Sequence, residues 1–402
     1  MTVKRVSLKV SPEAALRVSE ARESEFVNMM ETEPIVVLGN QRRPEIILDS
    51  IVPSAHSLFG PRGACLLSND GPLLICDTGH HRLLGWRSMP TSDSTPADWF
   101  LGQKDFASEG RNGKGDVSAT SLNVPTGICA AGEGLAVSDA WNHRILIWHK
   151  VPSENNIPAD VVLGQEDFKS GESNRGTSSP DAGTMHWPYG VYYAEGKLFV
   201  ADTGNRRVLI WNNLPQENGQ KADVVLGQKS FFSRDENAGS DPNSMSMRWP
   251  HSITYAQNNL CVTDAGNNRV LIWKGCPTEN GASADFLLGQ SNAYNVDFNQ
   301  ALYWPRSNTL NMPYGVTAKD DWLIIADTAN SRIIAWRIDN FDTIGNAIAL
   351  FGQKDFHEKG DNRWQAVTED SVCWPYGIQA INDLAVISDS GNNRVSIWKL
   401  AI

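Results

Sequence analysis

A motif that returns six times at a spacing of 62 or 63 residues, several short apolar runs inside each period and an orphan strand ahead of the first full period predict an all-β fold. The predicted architecture is a six-bladed β-propeller of four-stranded blades, closed by an N-terminal strand that completes the last blade.

The repeat is marked by Asp77, Asp139, Asp202, Asp264, Asp327 and Asp389. Each is followed five residues later by an arginine (Arg82, Arg144, Arg207, Arg269, Arg332, Arg394) and nine residues later by a tryptophan (Trp86, Trp148, Trp211, Trp273, Trp336, Trp398). A Leu-Gly-Gln motif precedes most of these segments, as in VLGQEDF, and a proline lies between the two. The prolines are Pro61, Pro125, Pro188, Pro250, Pro313 and Pro375.

Within the third period, GVYYA, KLFVAD, RVLIWN and ADVVLG read as four strands, because each is rich in Val, Ile, Leu and aromatics and bounded by turn residues. The last repeat ends in VSIWKLAI with no outer strand after it, while PIVVLG at 34–39 has no blade of its own. Joining the two closes the ring and removes an exposed edge. Residues 33–402 therefore read as one propeller domain. Residues 1–32 read as an N-terminal extension, in which Ser11-Pro12 can start a short helix running toward Met30; a disordered tail is the other reading.

These motifs resemble the NHL-repeat family of β-propellers, through six D-x-x-N-x-R-type turns that each sit between two apolar strands. The resemblance covers about 370 of the 402 residues. The period departs from the roughly 40–45 residues usual for propeller repeats such as WD repeats. The first turn departs as well, carrying His80 where the others carry Asn142, Asn205, Asn267, Asn330 and Asn392. The resemblance implies two functional classes, lyases that hold zinc with histidines near the channel and RNA binders with a basic face; a rigid disc with variable loops on one face also suits an interaction scaffold.

The residues present in every blade are expected to be structural. The aspartate can accept backbone N–H bonds and pair with its arginine. The tryptophans are expected to fill the wedges between blades, and Gln103, Gln165, Gln228, Gln290 and Gln353 recur too evenly to form one site. His80, His81 and His143 read as exposed turn residues.

Function is expected where the repeats differ. Long connections of about twenty residues join each outer strand to the next inner strand, and they should share a face with the Asp–Arg turns. Around the six prolines this face offers Arg62, His186, Trp187, Tyr189, Arg248, Trp249, His251, Tyr314, Cys373, Trp374 and Tyr376, which are expected to ring the channel mouth. Such a ring would suit a small, flat or anionic ligand, with guanidinium groups for a carboxylate or phosphate; the alternative is that the aromatics pack the loops down.

His186 and His251 stand at different offsets from their prolines, so no metal and no cofactor is expected; Cys373 is a nucleophile only if a histidine reaches it. No nucleophile elbow, HExxH, P-loop or dinucleotide fingerprint occurs.

The net charge of −11 argues against nucleic acid, whose binding rests on phosphate contacts. No apolar run is long enough to span a bilayer, and no apolar stretch follows the basic residues of MTVKRVSLKV, so a soluble, cytoplasmic protein is expected. Six scattered cysteines, with no CxxC, fit free thiols. The leading expectation is a binding scaffold that takes a protein partner on the loop-rich face. A small-molecule binder, or a lyase- or hydrolase-type enzyme at the channel mouth, is the alternative.

Overall fold

The computed structural model of the chain describes residues 26–39, 52–338 and 345–402. Blade three shows the common plan. Its inner strand is Pro188–Ala194, its second strand Lys197–Asp202, its third Arg207–Trp211 and its outer strand Val224–Leu226, paired antiparallel in that order. The four runs read from the sequence are these four strands. Each inner strand packs against the inner strand of the next blade, and the sixth packs against the first, so the ring is closed.

The splice lies in blade six, as expected. Val36–Gly39 pairs antiparallel with Arg394–Lys399, with Val36 opposite Ile397 and Leu38 opposite Val395. The segment just ahead of it adds something unexpected. Val27–Asn28 pairs in parallel with Ala349–Phe351 and makes a fifth strand on blade five.

The other blades explain this pairing. The loop between third and outer strands reaches back and covers the outer edge of the preceding blade. Phe100 N–H donates to Asn155 Oδ1 (3.0 Å) while Asn156 N–H donates to Phe100 O (3.0 Å). Asn218 and Gly219 do the same for Val162, and Asn280 and Gly281 for Val225. Blade six is cut at this loop, and the N-terminal segment takes its place: Val27 N–H reaches Ile348 O (2.8 Å) and Met29 N–H reaches Leu350 O (3.3 Å). An edge strand with free backbone groups is thereby covered. Residues 26–30 are extended, not helical; the rest of the stretch read as a helix lies outside the described residues.

The core is six apolar clusters, each shared by two neighbouring blades. Both sides of every sheet are therefore covered, which is why the central strands read as unbroken apolar runs such as VLIW instead of alternating. The repeated tryptophans are buried in these wedges; Trp211 sits with Val191, Leu198 and Val225, and its indole N–H donates to Gln220 O (3.0 Å).

Near the channel the inner strands approach backbone to backbone. A Cβ at Gly190 would fall on the carbonyl oxygen of His251 in the next blade, and one at Gly127 on that of Tyr189. This close approach accounts for the glycine two residues after the proline in five of the six blades.

Candidate functional site

Each Asp–Arg turn is a buried node that ties the long linker to the blade. In blade three, Asp202 Oδ2 accepts Arg207 Nε (2.8 Å) and Asn205 Nδ2 (2.7 Å), and Oδ1 accepts the His186 N–H (2.7 Å). Arg207 then spends its remaining donors on linker carbonyls, Phe231 O (2.6 Å), Asp181 O (2.9 Å) and Thr184 O (2.9 Å). Asp202 and Arg207 are wholly buried, and each is paired and hydrogen-bonded, as buried polar groups must be. The glutamines are structural in the same way: Gln165 Nε2 donates to Glu172 O (2.9 Å) and His143 O (3.2 Å).

A further repeated element went unread in the sequence. Asn112, Asn174, Asn237, Asn299 and Asn362, one in each of the five fully described linkers, hold left-handed conformations and pair with the turn asparagine of the next blade. Their spacing of 62 or 63 residues was the available signal. In blade one His80 stands in the asparagine's place. It is buried, with Nδ1 2.8 Å from Asp77 Oδ2, so it belongs to the node and is not the exposed turn residue expected.

His81 and His143 are corrected likewise. Both are half-buried, and each accepts, through Nδ1, the backbone N–H of the residue before the next blade's proline: Val124 for His81 (3.1 Å), Trp187 for His143 (3.1 Å). Asn268 Oδ1 serves Met312 N–H identically (2.8 Å). Burial, then neighbouring His186, pulls the His143 pKa down to about 4, so the ring is neutral with its proton on Nε2.

The predicted site residues separate into two groups. Only the residues directly after the prolines line the channel: Arg62, Thr126, Tyr189, His251, Tyr314 and Tyr376. Those before the prolines turn outward. The cause is a backbone inversion at the preceding residue, with φ near 50° at Trp187, Met312 and Trp374. Trp187 and Trp374 are consequently 43% and 36% exposed on the linker face; Trp249, without the inversion, is 38% exposed there.

His186 lies beside Trp187 (ring centroids 4.5 Å) and His143 (5.2 Å), with Arg234 Nη2 3.0 Å from its Nδ1. Arg248 covers Trp249 and pairs with Glu236 (3.1 Å). Cys373 lies over Gly391 in the sixth node, its N–H on Asp389 Oδ1 (2.8 Å). His186 and His251 thus have separate surroundings, and Cys373 belongs to blade six, across the ring from blade three. Among the described residues, no group of three or more His, Cys, Asp or Glu is placed to hold a metal ion.

The channel group is a nearly closed circle of flat side chains. Tyr189 meets His251 at 5.0 Å, His251 stacks on Tyr314 at 4.2 Å with planes 14° apart, and Tyr314 meets Tyr376 at 4.6 Å. The Arg62 guanidinium completes it, 4.7 Å from the Tyr376 ring and 5.6 Å from the Tyr189 ring. It bridges blade two because Thr126 there is small; the Thr126 hydroxyl turns to Tyr189 O (2.8 Å).

His251 donates Nδ1–H to Trp249 O (3.0 Å), and burial lowers its pKa to about 4, with the Arg62 charge helping. Burial also pushes the Tyr314 and Tyr376 hydroxyl pKa values up. At neutral pH the circle therefore carries one charge, on Arg62.

No family model matches the chain. It is similar to two curated proteins named NHL repeat-containing protein 2. The one from Bos taurus is 23% identical over 396 residues, covering 90% of this chain and 49% of that one. The one from Homo sapiens is 22% identical over 372 residues, covering 88% and 48%. The chain spans about half the length of these curated relatives.

Similar solved structures include the WD40 propeller domain of Doa1 (10% identity, 92% of this chain and 97% of that, TM-score 0.47). Kuenenia stuttgartiensis hydrazine synthase is another (10%, 90% and 100%, TM-score 0.47). With six D-x-x-N-x-R-type turns, a closed ring of six four-stranded blades and relatives named for the NHL repeat over nine-tenths of its length, the chain is a six-bladed β-propeller similar to NHL-repeat proteins.

Proposed function

We propose that the chain is a binding scaffold that docks a protein partner on the face formed by the linkers and Asp–Arg turns. One observation carries this reading. Eleven large aromatic side chains are exposed among the described residues, and all eleven belong to this face. They include Trp141, Trp187, Trp249, Tyr303, Trp364 and Trp374. The exposed apolar residues elsewhere, such as Ile157 and Ile348, are aliphatic. Trp, Tyr and Arg dominate the energetics of protein interfaces, and concentrated exposed apolar surface marks interaction sites. Trp187 and Trp374 also hold a left-handed backbone while half-exposed, a conformation that burial of the ring does not offset.

A cytoplasmic setting suits the chain. Its six cysteines are free, and burial pushes the Cys65 thiol up to about 11. Among the described residues no helix is long and apolar enough to cross a membrane. The net charge of −11 speaks against nucleic acid as the partner.

The test is affinity capture with the wild type and a Trp187→Ala/Trp249→Ala/Trp374→Ala variant, read by quantitative mass spectrometry, with each captured protein then purified and titrated. The variant should keep its fold and lose purified-partner affinity by tenfold or more, since two or three hot-spot side chains are removed. Undiminished affinity in a folded variant would refute the reading. A second reading, a small-molecule site at the channel mouth, is favoured by the Arg62 circle. Neutral His251 and the protonated tyrosines there suit recognition better than turnover.

A further inference from the structure

The Arg62 guanidinium, like that of Arg111 over Trp141, lies on aromatic faces, whereas most arginines of this face pair with an acid. Arg175 pairs with Glu166, Arg248 with Glu236 and Arg363 with Asp370, and the six node arginines pair with their aspartates. No carboxylate or carbonyl among the described residues bonds the Arg62 guanidinium; its recorded partners are the faces of Tyr376 and Tyr189. The sixteen residues lining the channel here contain one cation and no acid, in a chain of net charge −11.

Phenol rings flank that cation. Tyr376 lies on one side of Arg62 with Tyr314 against it at 4.6 Å, and the Tyr189 ring lies on the other. The space enclosed is about 100 Å³. That is room for a few waters, and far below the several hundred Å³ a nucleotide or drug-sized ligand occupies.

We infer that the channel mouth is an oxyanion site, in which the Arg62 fork and the flanking tyrosine hydroxyls hold a single carboxylate or phosphate group. A guanidinium held between two aromatic faces keeps its edge N–H donors free, and that edge is the part that matches two oxygens of an oxyanion. The proposal rests on the second, small-molecule reading of the mouth, and it deepens the first if the oxyanion is carried by the docked partner.

The test uses the purified full chain without any partner. Thermal unfolding is followed while inorganic phosphate or acetate is added, against chloride at matched ionic strength. Phosphate or acetate at tens of millimolar should raise Tm by about 2 °C over chloride, as expected for a millimolar site. Arg62→Met should abolish the rise, and Arg62→Lys should weaken it by losing the fork. Lys359→Met, which removes a cation over Tyr303 on the same face, should leave it intact.

Equal shifts with chloride, or a rise that survives Arg62→Met, would overturn the proposal. The outcome is separable from partner docking, because the triple tryptophan variant should still respond to phosphate. Competition then identifies the source: phosphate displacing a captured partner marks the oxyanion as a group on that partner, and unchanged capture marks it as a free ion.

Discussion

The nodes and the channel mouth are neighbours along the same six inner strands, yet they follow opposite rules. Two residues before each proline the backbone N–H is bound to a node aspartate, in all six blades. One residue after it the six blades present Arg62, Thr126, Tyr189, His251, Tyr314 and Tyr376. The node is sixfold and buried, and its arginine bonds both the node aspartate and the carbonyls of a linker. The mouth has no such repeat, and its one cation is unspent on any carboxylate. Residues that recur hold the ring, and residues that differ are left to meet a ligand.

The largest break in this contrast should come from a node. Arg207→Ala strands the buried Asp202 carboxylate and three linker carbonyls, and should cost about 3–5 kcal/mol in urea unfolding. Gly190→Ala comes next. Its added Cβ meets a neighbouring backbone carbonyl that has little freedom to yield, and a loss of about 2 kcal/mol is expected from the same measurement.

A smaller effect should appear with pH. His143 and His251 have folded pKa values near 4 against about 6.5 when unfolded. The unfolded chain therefore binds more protons between these values, so stability is whole above about pH 6.5, falls as pH drops toward 4 and levels off below. Each histidine contributes roughly 1–3 kcal/mol to this fall at most. His251→Gln should flatten part of the slope in a series of urea midpoints against pH. The smallest effect belongs to His80→Asn, which installs the residue found in the other five nodes. It should shift stability by no more than about 1 kcal/mol.

The fold was legible because its markers are local and repeated. Asp, Arg, Trp and Gln each satisfy backbone groups inside one blade or its linker, so each had to recur with the period. The linker asparagines recur with the same period but went unread, because their partner is a side chain of the next blade.

The mouth was legible only in part. All eleven predicted site residues lie on the expected face, but the sequence does not mark the left-handed inversion at Trp187 and Trp374 that sends one set outward and leaves the other in the channel. His81 and His143 were misread as exposed because their role, accepting an N–H from the next blade, is a contact made 43 or 44 residues away. The strand at Val27–Asn28 was hidden for a related reason: two residues carry no periodicity, and their place is set by a loop that blade six lacks.

The contrast between node and mouth is tested most directly inside one blade, by urea unfolding of Arg207→Ala and Tyr189→Ala side by side. The account predicts a loss of about 3–5 kcal/mol for Arg207→Ala and under about 1.5 kcal/mol for the half-buried Tyr189→Ala. Equal losses would contradict it, because the mouth would then be holding the ring together as the nodes do.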